Sequence, residues 1–130
     1  MVKVIMHGCC GHMGQVISDL ASKDPEVEIV AGIDIADKGN TCYPVFTDMK
    51  ACQVDADVVI DFSSAKAVDA LLDFCAEKAL PVVLCTTGLS EEQLQKVEET
   101  AKKTAVLKSA NMSLGINTLM KLLQDAAKVL

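Results

Sequence analysis

Short apolar runs alternate with segments of helical periodicity along almost the whole chain, and this alternation restricts the fold more than any other feature. The first run, Val2 to Met6, is uniformly apolar and ends at Gly8, as in a strand buried on both faces. Residues His12 to Lys23 then repeat apolar side chains at intervals of three and four, which predicts a helix. Alternating strands and helices predict an α/β fold with a doubly wound parallel sheet and right-handed crossovers.

The same signals place the remaining elements. Strands are predicted at 27–33, 56–62, 81–85 and 105–107, with a short strand or turn at 43–48. Helices are predicted after Ser63 or Ser64, from Glu91 to about Lys103, and over 113–130. Ser90-Glu91-Glu92-Gln93 matches a capping box, and Ser63 and Ser113 are further candidate caps. The last helix either packs back on the sheet or leads toward a further domain.

Composition and charge exclude several classes of protein. The 130 residues suffice for one domain, and 51% are hydrophobic, too many for a disordered chain. All 12 basic residues are lysine and the net charge is −6, so no nucleic-acid partner is expected. No apolar stretch reaches the roughly 20 residues of a membrane span, and no secretory signal is recognised, so we expect no membrane partner. Without a signal segment, the six cysteines are expected to be free thiols in a cytoplasmic protein, and the lack of Cys-x-x-Cys disfavours thioredoxin-like and zinc-ribbon folds.

The strongest motif is Gly8-Cys9-Cys10-Gly11-His12-Met13-Gly14, between the first strand and the first helix. Glycines at such a turn let the backbone approach a pyrophosphate, and the helix N-terminus offers free N–H groups with a partial positive charge. The last glycine permits close packing of helix on strand. The spacing is not the commonest Gly-x-Gly-x-x-Gly, but its position predicts a Rossmann-like dinucleotide site.

Asp34 closes the second predicted strand, about 20 residues beyond Gly14. A carboxylate there can accept both hydroxyls of an adenosine ribose and repels a 2′-phosphate. The alternative is an ordinary solvated turn aspartate. Lys38 is the one nearby cation that could offset its charge, so we expect NAD(H) to be preferred, with NADP(H) as a weaker alternative.

His7, Cys9, Cys10 and His12 together also suggest a zinc site. Adjacent cysteines on a glycine-bent backbone make a closed tetrahedral shell difficult to form, so no metal is expected. Cys75 and Cys85 are expected to pack as small core residues.

Three further loops follow strands on the same rim. Their hydroxyls and amides could hold a nicotinamide carboxamide or a small anionic substrate, although each loop could serve only as a helix cap. They are Asp61-Phe62-Ser63-Ser64, Cys85-Thr86-Thr87-Gly88, and Ser109-Ala110-Asn111-Met112-Ser113 with the following Leu114-Gly115-Ile116-Asn117.

These motifs, in this order, resemble 4-hydroxy-tetrahydrodipicolinate (dihydrodipicolinate) reductase of the diaminopimelate–lysine pathway. The resemblance covers essentially the whole chain. It departs at Cys85, where the family commonly has glycine, and at Ser64-Ala65, where a proline is frequent. The family's second domain, which supplies the general acid and most dicarboxylate contacts, has no counterpart here. The resemblance therefore implies a dinucleotide-binding domain over 1–130, with 113–130 a helix that leads toward an absent C-terminal domain.

The resemblance also implies roles for particular residues. Gly8 to Met13 would wrap the pyrophosphate and Asp34 would hold the ribose, while Thr87 would lie close to a substrate carboxylate. No catalytic residue is expected within the chain. The full set of implied cofactor-binding residues is Gly8, Cys9, Cys10, Gly11, His12, Met13, Asp34, Phe62, Cys85, Thr86, Thr87, Ser109, Ala110, Asn111 and Met112.

The function implied is the NAD(P)H-binding half of a reductase that produces tetrahydrodipicolinate from a small dicarboxylate and is inactive without its other half. The family is tetrameric, and a monomer or weak dimer is expected for these residues alone. One alternative is a non-catalytic module that senses NAD(H), which would share the glycine loop and Asp34. Another is a thiol or metal-binding protein that uses Cys9 and Cys10.

Overall fold

Six parallel strands form one sheet in the computed structural model, which describes residues 1–130. The strands are β1 (Val2–His7), β2 (Val27–Ile33), β3 (Val45–Phe46), β4 (Val58–Asp61), β5 (Val82–Leu84) and β6 (Val106–Lys108). The helices are α1 (His12–Ser22), α2 (Ala65–Lys78), α3 (Glu91–Ala101) and α4 (Leu114–Val129), and a 3₁₀ turn spans Met49–Ala51. The order β3-β2-β1-β4-β5-β6 is that of a doubly wound Rossmann sheet, which confirms the predicted fold class.

Helices cover the sheet from both faces because successive strand residues point in opposite directions. Ile5 of β1 belongs to the larger core, which α2 and α3 complete with Leu71 and Val97. Met6, the next residue, belongs to a smaller cluster with Cys9 and Cys10. Ile17 of α1 packs against that second cluster. The uniformly apolar sequence of β1 is therefore explained by burial on both faces.

Parallel pairing aligns the carboxyl ends of the strands along one edge. His7 pairs with Ile33 of β2 and with Asp61 of β4, and Asp61 pairs with Leu84 of β5. The loops after β1, β2, β4 and β5 therefore emerge side by side, which is where ligands bind in open α/β sheets.

Most predicted boundaries agree with the structure within a few residues, and the capping prediction is correct at two of its positions. Ser90 forms the complete capping box with Gln93, and Ser113 accepts from the Ile116 N–H. The N-cap predicted for α2 is confirmed in position but makes no capping hydrogen bond. Ser64 occupies the N-cap position without a side-chain bond, and the Ser63 hydroxyl instead donates to Asp61 at 2.6 Å. A nearby buried carboxylate is the stronger acceptor for this hydroxyl.

Helix α4 does not pack back on the sheet. Every residue from 110 to 130 is exposed, including the apolar side chains that share one face of the helix. Leu119, Leu122 and Leu123 are 52%, 60% and 60% exposed. None of the helices combines the length and hydropathy of a membrane-spanning segment.

Candidate functional site

The turn from β1 into α1 is shaped by two glycines that the fold itself requires. Gly8 has φ +82° and lies so close to the Phe62 carbonyl that a side chain would collide with it. A Cβ at Gly14 would collide with the Gly8 carbonyl oxygen and meet Cys9 Cα at 2.7 Å. Gly14 therefore permits the close approach of helix to strand that the sequence predicted.

Gly11 differs from these two glycines because little of the chain lies near it. It is the exposed N-cap of α1, with φ −78° and ψ 175°, a conformation open to any residue. A Cβ there would meet only the Gly8 oxygen, at 3.4 Å. The missing side chain leaves free space directly in front of the helix.

The first turn of α1 offers donors that nothing in the chain satisfies. Gly11 N–H donates to the Gly8 carbonyl, but the N–H groups of His12, Met13 and Gly14 have no hydrogen-bond partner. No side chain caps this helix and no acidic residue lies in its first turn, in contrast to α3. Three convergent amides and the helix dipole make an anion-binding geometry at Gly11.

Asp34 lies beside this turn, as predicted, and is hydrogen-bonded to it. Its Oδ2 accepts from the Cys10 N–H at 2.8 Å, and its Oδ1 accepts from the Ile35 N–H at 2.8 Å. The residue is half-buried, so its carboxylate remains accessible. Each carboxylate oxygen has a second lone pair, which leaves capacity to accept hydroxyl donors from a ligand.

The two cysteines of the glycine loop turn their side chains away from the rim. Cys9 is fully buried and Cys10 is 5% exposed, so these residues can offer a ligand mainly their backbone. Burial raises the pKa of the Cys9 thiol to about 12, with a further contribution from the hydrogen bond with Cys10. Cys9 therefore stays protonated at neutral pH.

The structure does not assemble the four-residue zinc set considered from sequence. His7 Nδ1 is occupied by Asp61, and His12 is exposed on α1. A different trio, Cys9, Cys10 and Asp34, has its ligating atoms within 4.8 Å of one another. This trio includes the buried, protonated Cys9 thiol.

A buried carboxylate, Asp61, joins three of the rim loops. It is 0% exposed and accepts hydrogen bonds from His7 Nδ1 at 2.8 Å, Ser63 Oγ at 2.6 Å and Thr86 Oγ1 at 2.6 Å. Thr86 Oγ1 in turn accepts from the Ser63 N–H at 3.1 Å. The Thr86 hydroxyl, predicted to line the cofactor, is therefore used to fix the loop after β5.

The charge on Asp61 is stabilised by these contacts. Burial would raise the pKa of this carboxyl, but hydrogen bonds from His7, Ser63 and Thr86 outweigh it, and the pKa lies below its ordinary value. Asp61 is therefore ionised at neutral pH and acts only as an acceptor, so His7 Nδ1 carries the proton of their hydrogen bond. Sequence analysis weighed His7 only as a metal ligand and missed this pair.

The other predicted site residues lie along the same rim but differ in accessibility. Cys85 is buried, and its N–H donates to the Asp61 carbonyl, whereas Thr87 is exposed and its hydroxyl makes no bond within the chain. Ser109 follows β6, and its N–H donates to the Leu84 carbonyl. Asn111 Oδ1 accepts from the Ser113 N–H at 2.7 Å, and Met112 is 48% exposed. No hydrogen bond joins residues 109–112 to the glycine loop.

A cleft of about 850 Å³ opens beside Asp34, between the ends of β1 and β2, the 3₁₀ turn and α2. Its lining combines apolar side chains, such as Ile33 and Phe74, with polar groups that include His7 and Asp34. A concave site of this size and composition suits a small-molecule ligand.

The parallel 3-2-1-4-5-6 order, the glycine turn with its free amides and the neighbouring acidic residue define a Rossmann-type domain, the class that binds nicotinamide dinucleotides. Comparison with known proteins narrows the class. The family model for the N-terminus of dihydrodipicolinate reductase matches residues 2–112. The chain therefore belongs to the dihydrodipicolinate reductase family and corresponds to its N-terminal part.

Individual relatives agree with this assignment. The whole chain is 50% identical to 51% of a 4-hydroxy-tetrahydrodipicolinate reductase of Caldanaerobacter subterraneus subsp. tengcongensis. It is 45% identical to 51% of the enzyme of that name from Clostridium tetani. A dipicolinate-bound dihydrodipicolinate reductase from Paenisporosarcina sp. TG-14 superposes with a TM-score of 0.84 at 26% identity, over 98% of this chain and 54% of that one. The chain thus spans about half the length of the curated relatives it matches.

Proposed function

We propose that these residues form the NAD(P)H-binding domain of a reductase that converts 4-hydroxy-tetrahydrodipicolinate to tetrahydrodipicolinate in lysine biosynthesis. The observation that carries the proposal is the set of unpartnered N–H groups of His12, Met13 and Gly14, which converge on the open space at Gly11. The names of the relatives supply the reaction and the substrate.

The pyrophosphate of the dinucleotide would lie in front of Gly11 and accept hydrogen bonds from these amides. The positive end of the α1 dipole favours the phosphate charge, and the exposed backbone of His12 and Met13 leaves the approach open. Asp34, fixed by the Cys10 N–H, would accept the hydroxyls of the adenosine ribose. The residues expected to wrap the pyrophosphate, Gly8 to Met13, would contact it through their backbone.

The nicotinamide would extend toward the loops after β4, β5 and β6. Asp61 holds Ser63 and Thr86 in place, which would shape this end of the crevice, and Phe62 and Cys85 would form part of its wall. The exposed Thr87 hydroxyl would contact a substrate carboxylate, and residues 109–112 would contact the carboxamide. When bound, the reduced nicotinamide supplies a hydride, while this chain positions it and excludes water.

NAD(H) is the preferred cofactor in this proposal. A ribose 2′-phosphate would bring about two negative charges against the Asp34 carboxylate, and Lys38 is the one nearby cation in the sequence. NADP(H) would therefore bind more weakly.

The wider properties of the protein follow from the same proposal. Residues 113–130 would lead toward the remaining half of the family's longer proteins, which would provide the proton donor and the dicarboxylate contacts. The 130 residues alone would bind the dinucleotide without turnover and would be monomeric or weakly dimeric in a cytoplasmic setting. A module that only senses NAD(H) would use the same glycine loop and Asp34, and the names of the relatives favour the reductase over it.

Isothermal titration of the 130-residue chain with NADH and NADPH tests the proposal. We expect saturable binding of both, with NADH tighter, and much weaker binding of nicotinamide mononucleotide, which lacks the pyrophosphate linkage and the adenosine. Absence of binding at millimolar NADH and NADPH would refute the proposed function. Substrate-dependent NADH oxidation by the chain alone would refute the claim that turnover needs further residues.

A further inference from the structure

His7 has one ring nitrogen committed to the fold and one that is free. Its Nδ1 donates to ionised Asp61 at 2.8 Å, which fixes both the ring orientation and the position of the proton. Nε2 has no hydrogen-bond partner in the chain, although His7 is only 4% exposed. Every side-chain nitrogen or oxygen that is sealed from solvent has a hydrogen-bond partner. Since Nε2 has no partner, it must reach the surface.

That surface is the wall of the 850 Å³ cleft, which His7 lines together with Asp34. A neutral imidazole with its proton on Nδ1 presents a lone pair at Nε2. The Asp34 carboxylate presents acceptors in the same cleft. A ligand that satisfies both groups must therefore carry several hydrogen-bond donors.

We propose that His7 is a dinucleotide-binding residue, held in position by Asp61, whose Nε2 accepts a hydrogen bond from a hydroxyl or amine of the adenosine half. This inference rests on the proposed function and adds a contact beyond the predicted glycine loop and Asp34. It also gives the nearly inaccessible histidine a role beyond its hydrogen bond to Asp61.

Two substitutions of His7 distinguish the contribution of Nε2 from that of Nδ1. Asparagine places its amide nitrogen near the position of Nδ1, so His7→Asn keeps a donor for Asp61 and removes Nε2. We expect it to unfold at nearly the wild-type temperature and to bind NADH about fivefold more weakly, as for one lost neutral hydrogen bond. His7→Leu removes both contacts and should lower the unfolding temperature as well.

A resonance of the ring provides a readout that a merely structural role would not change. In the wild-type protein, the ¹⁵N resonance of His7 Nε2 should shift when NADH is added, because that nitrogen gains a hydrogen-bond donor.

Equal NADH affinity for wild type and His7→Asn would overturn the inference and leave the proposed function intact. An Nε2 resonance unmoved at saturating NADH would do the same, even if the variants failed to fold. No NADH binding by the wild type would overturn both.

Discussion

Three glycines at equal spacing in the β1–α1 turn have three different physical explanations. Gly8 is required by its positive φ and by the Phe62 carbonyl, and Gly14 by the carbonyl of Gly8. Gly11 is required by neither backbone conformation nor contact within the chain. Its missing side chain is therefore best explained by a ligand that occupies the space in front of α1.

Alanine at Gly11 should mainly weaken NADH binding, whereas alanine at Gly14 should mainly destabilise the fold. Gly11→Ala should retain the fold at a cost of about 1 kcal/mol, because alanine is the poorer N-cap, and should weaken NADH binding at least tenfold. Gly14→Ala should lower the free energy of unfolding by about 2 kcal/mol or more, since neighbouring backbone must move. Chemical denaturation and NADH titration of both variants measure the difference. Unchanged NADH affinity in Gly11→Ala would count against a ligand at this position.

Asp34→Asn tests the choice between the two cofactors. The asparagine carbonyl can still accept from the Cys10 N–H and so hold the loop, while the bond from the Ile35 N–H and the negative charge are lost. We expect the ratio of NADPH to NADH affinity to rise by about tenfold, measured by titration of both cofactors. Asp37→Asn, four residues beyond β2 and bonded only to the Gly39 N–H, is the matched control and should leave the ratio unchanged.

The pair formed by His7 and Asp61 shows where residue-level prediction fell short. The two residues are 54 positions apart and share no short motif, so sequence spacing gave no reason to join them. A signal existed, because each lies next to the last residue of a predicted strand and these strands pair in register in the parallel sheet. The strand order 3-2-1-4-5-6 would have placed them side by side.

At the scale of elements, periodicity predicted much of the fold because burial determines it. Helix α2 buries Val68, Leu71, Leu72 and Cys75, which recur at helical spacing, in the larger core. The first residues of the strands were less predictable. Strand β4 begins at Val58, two residues inside the predicted run, and β5 begins at Val82, one residue inside it. Apolar runs continue into loop residues that pack on the core without joining the ladder, such as Ala56.

The ends of β1, β4 and β5 are held together by Asp61, which predicts a pH-dependent contribution to stability. Asp61→Asn should lower the free energy of unfolding at pH 7 by about 3 kcal/mol, because the amide cannot accept all three side-chain hydrogen bonds. The pKa of Asp61 is lower in the folded state than the ordinary 3.8, so its contribution is present above that pH. It is lost as pH falls through the folded-state pKa.

Denaturation of wild type and Asp61→Asn from pH 7 down to pH 3 measures this contribution. The stability difference between the two proteins should shrink as the medium becomes more acidic below about pH 4. A difference that stays constant across this range would contradict the assignment of Asp61 as an ionised acceptor. Asp57→Asn is the surface control, because the Asp57 carboxylate is exposed and accepts a hydrogen bond from the Lys3 N–H.

On the scale of the whole molecule, α4 stands apart from the sheet. Its residues are exposed throughout, so removal of 113–130 should change the free energy of unfolding of the rest by less than about 1 kcal/mol. Thermal unfolding of the full chain and of residues 1–112 measures this. Val97→Ala, in the buried face of α3, is the control and should cost about 1 kcal/mol or more. A large loss of stability on removal of 113–130 would show that α4 packs against the sheet in solution.

The proposed function depends most on the binding of the dinucleotide phosphates by the backbone at the start of α1. An NADH titration followed by ¹⁵N–¹H correlation spectra observes this backbone directly. We expect the amide resonances of His12, Met13 and Gly14 to show the largest shifts and to saturate together with the calorimetric titration. Saturation by NADH with these three resonances unmoved would contradict it.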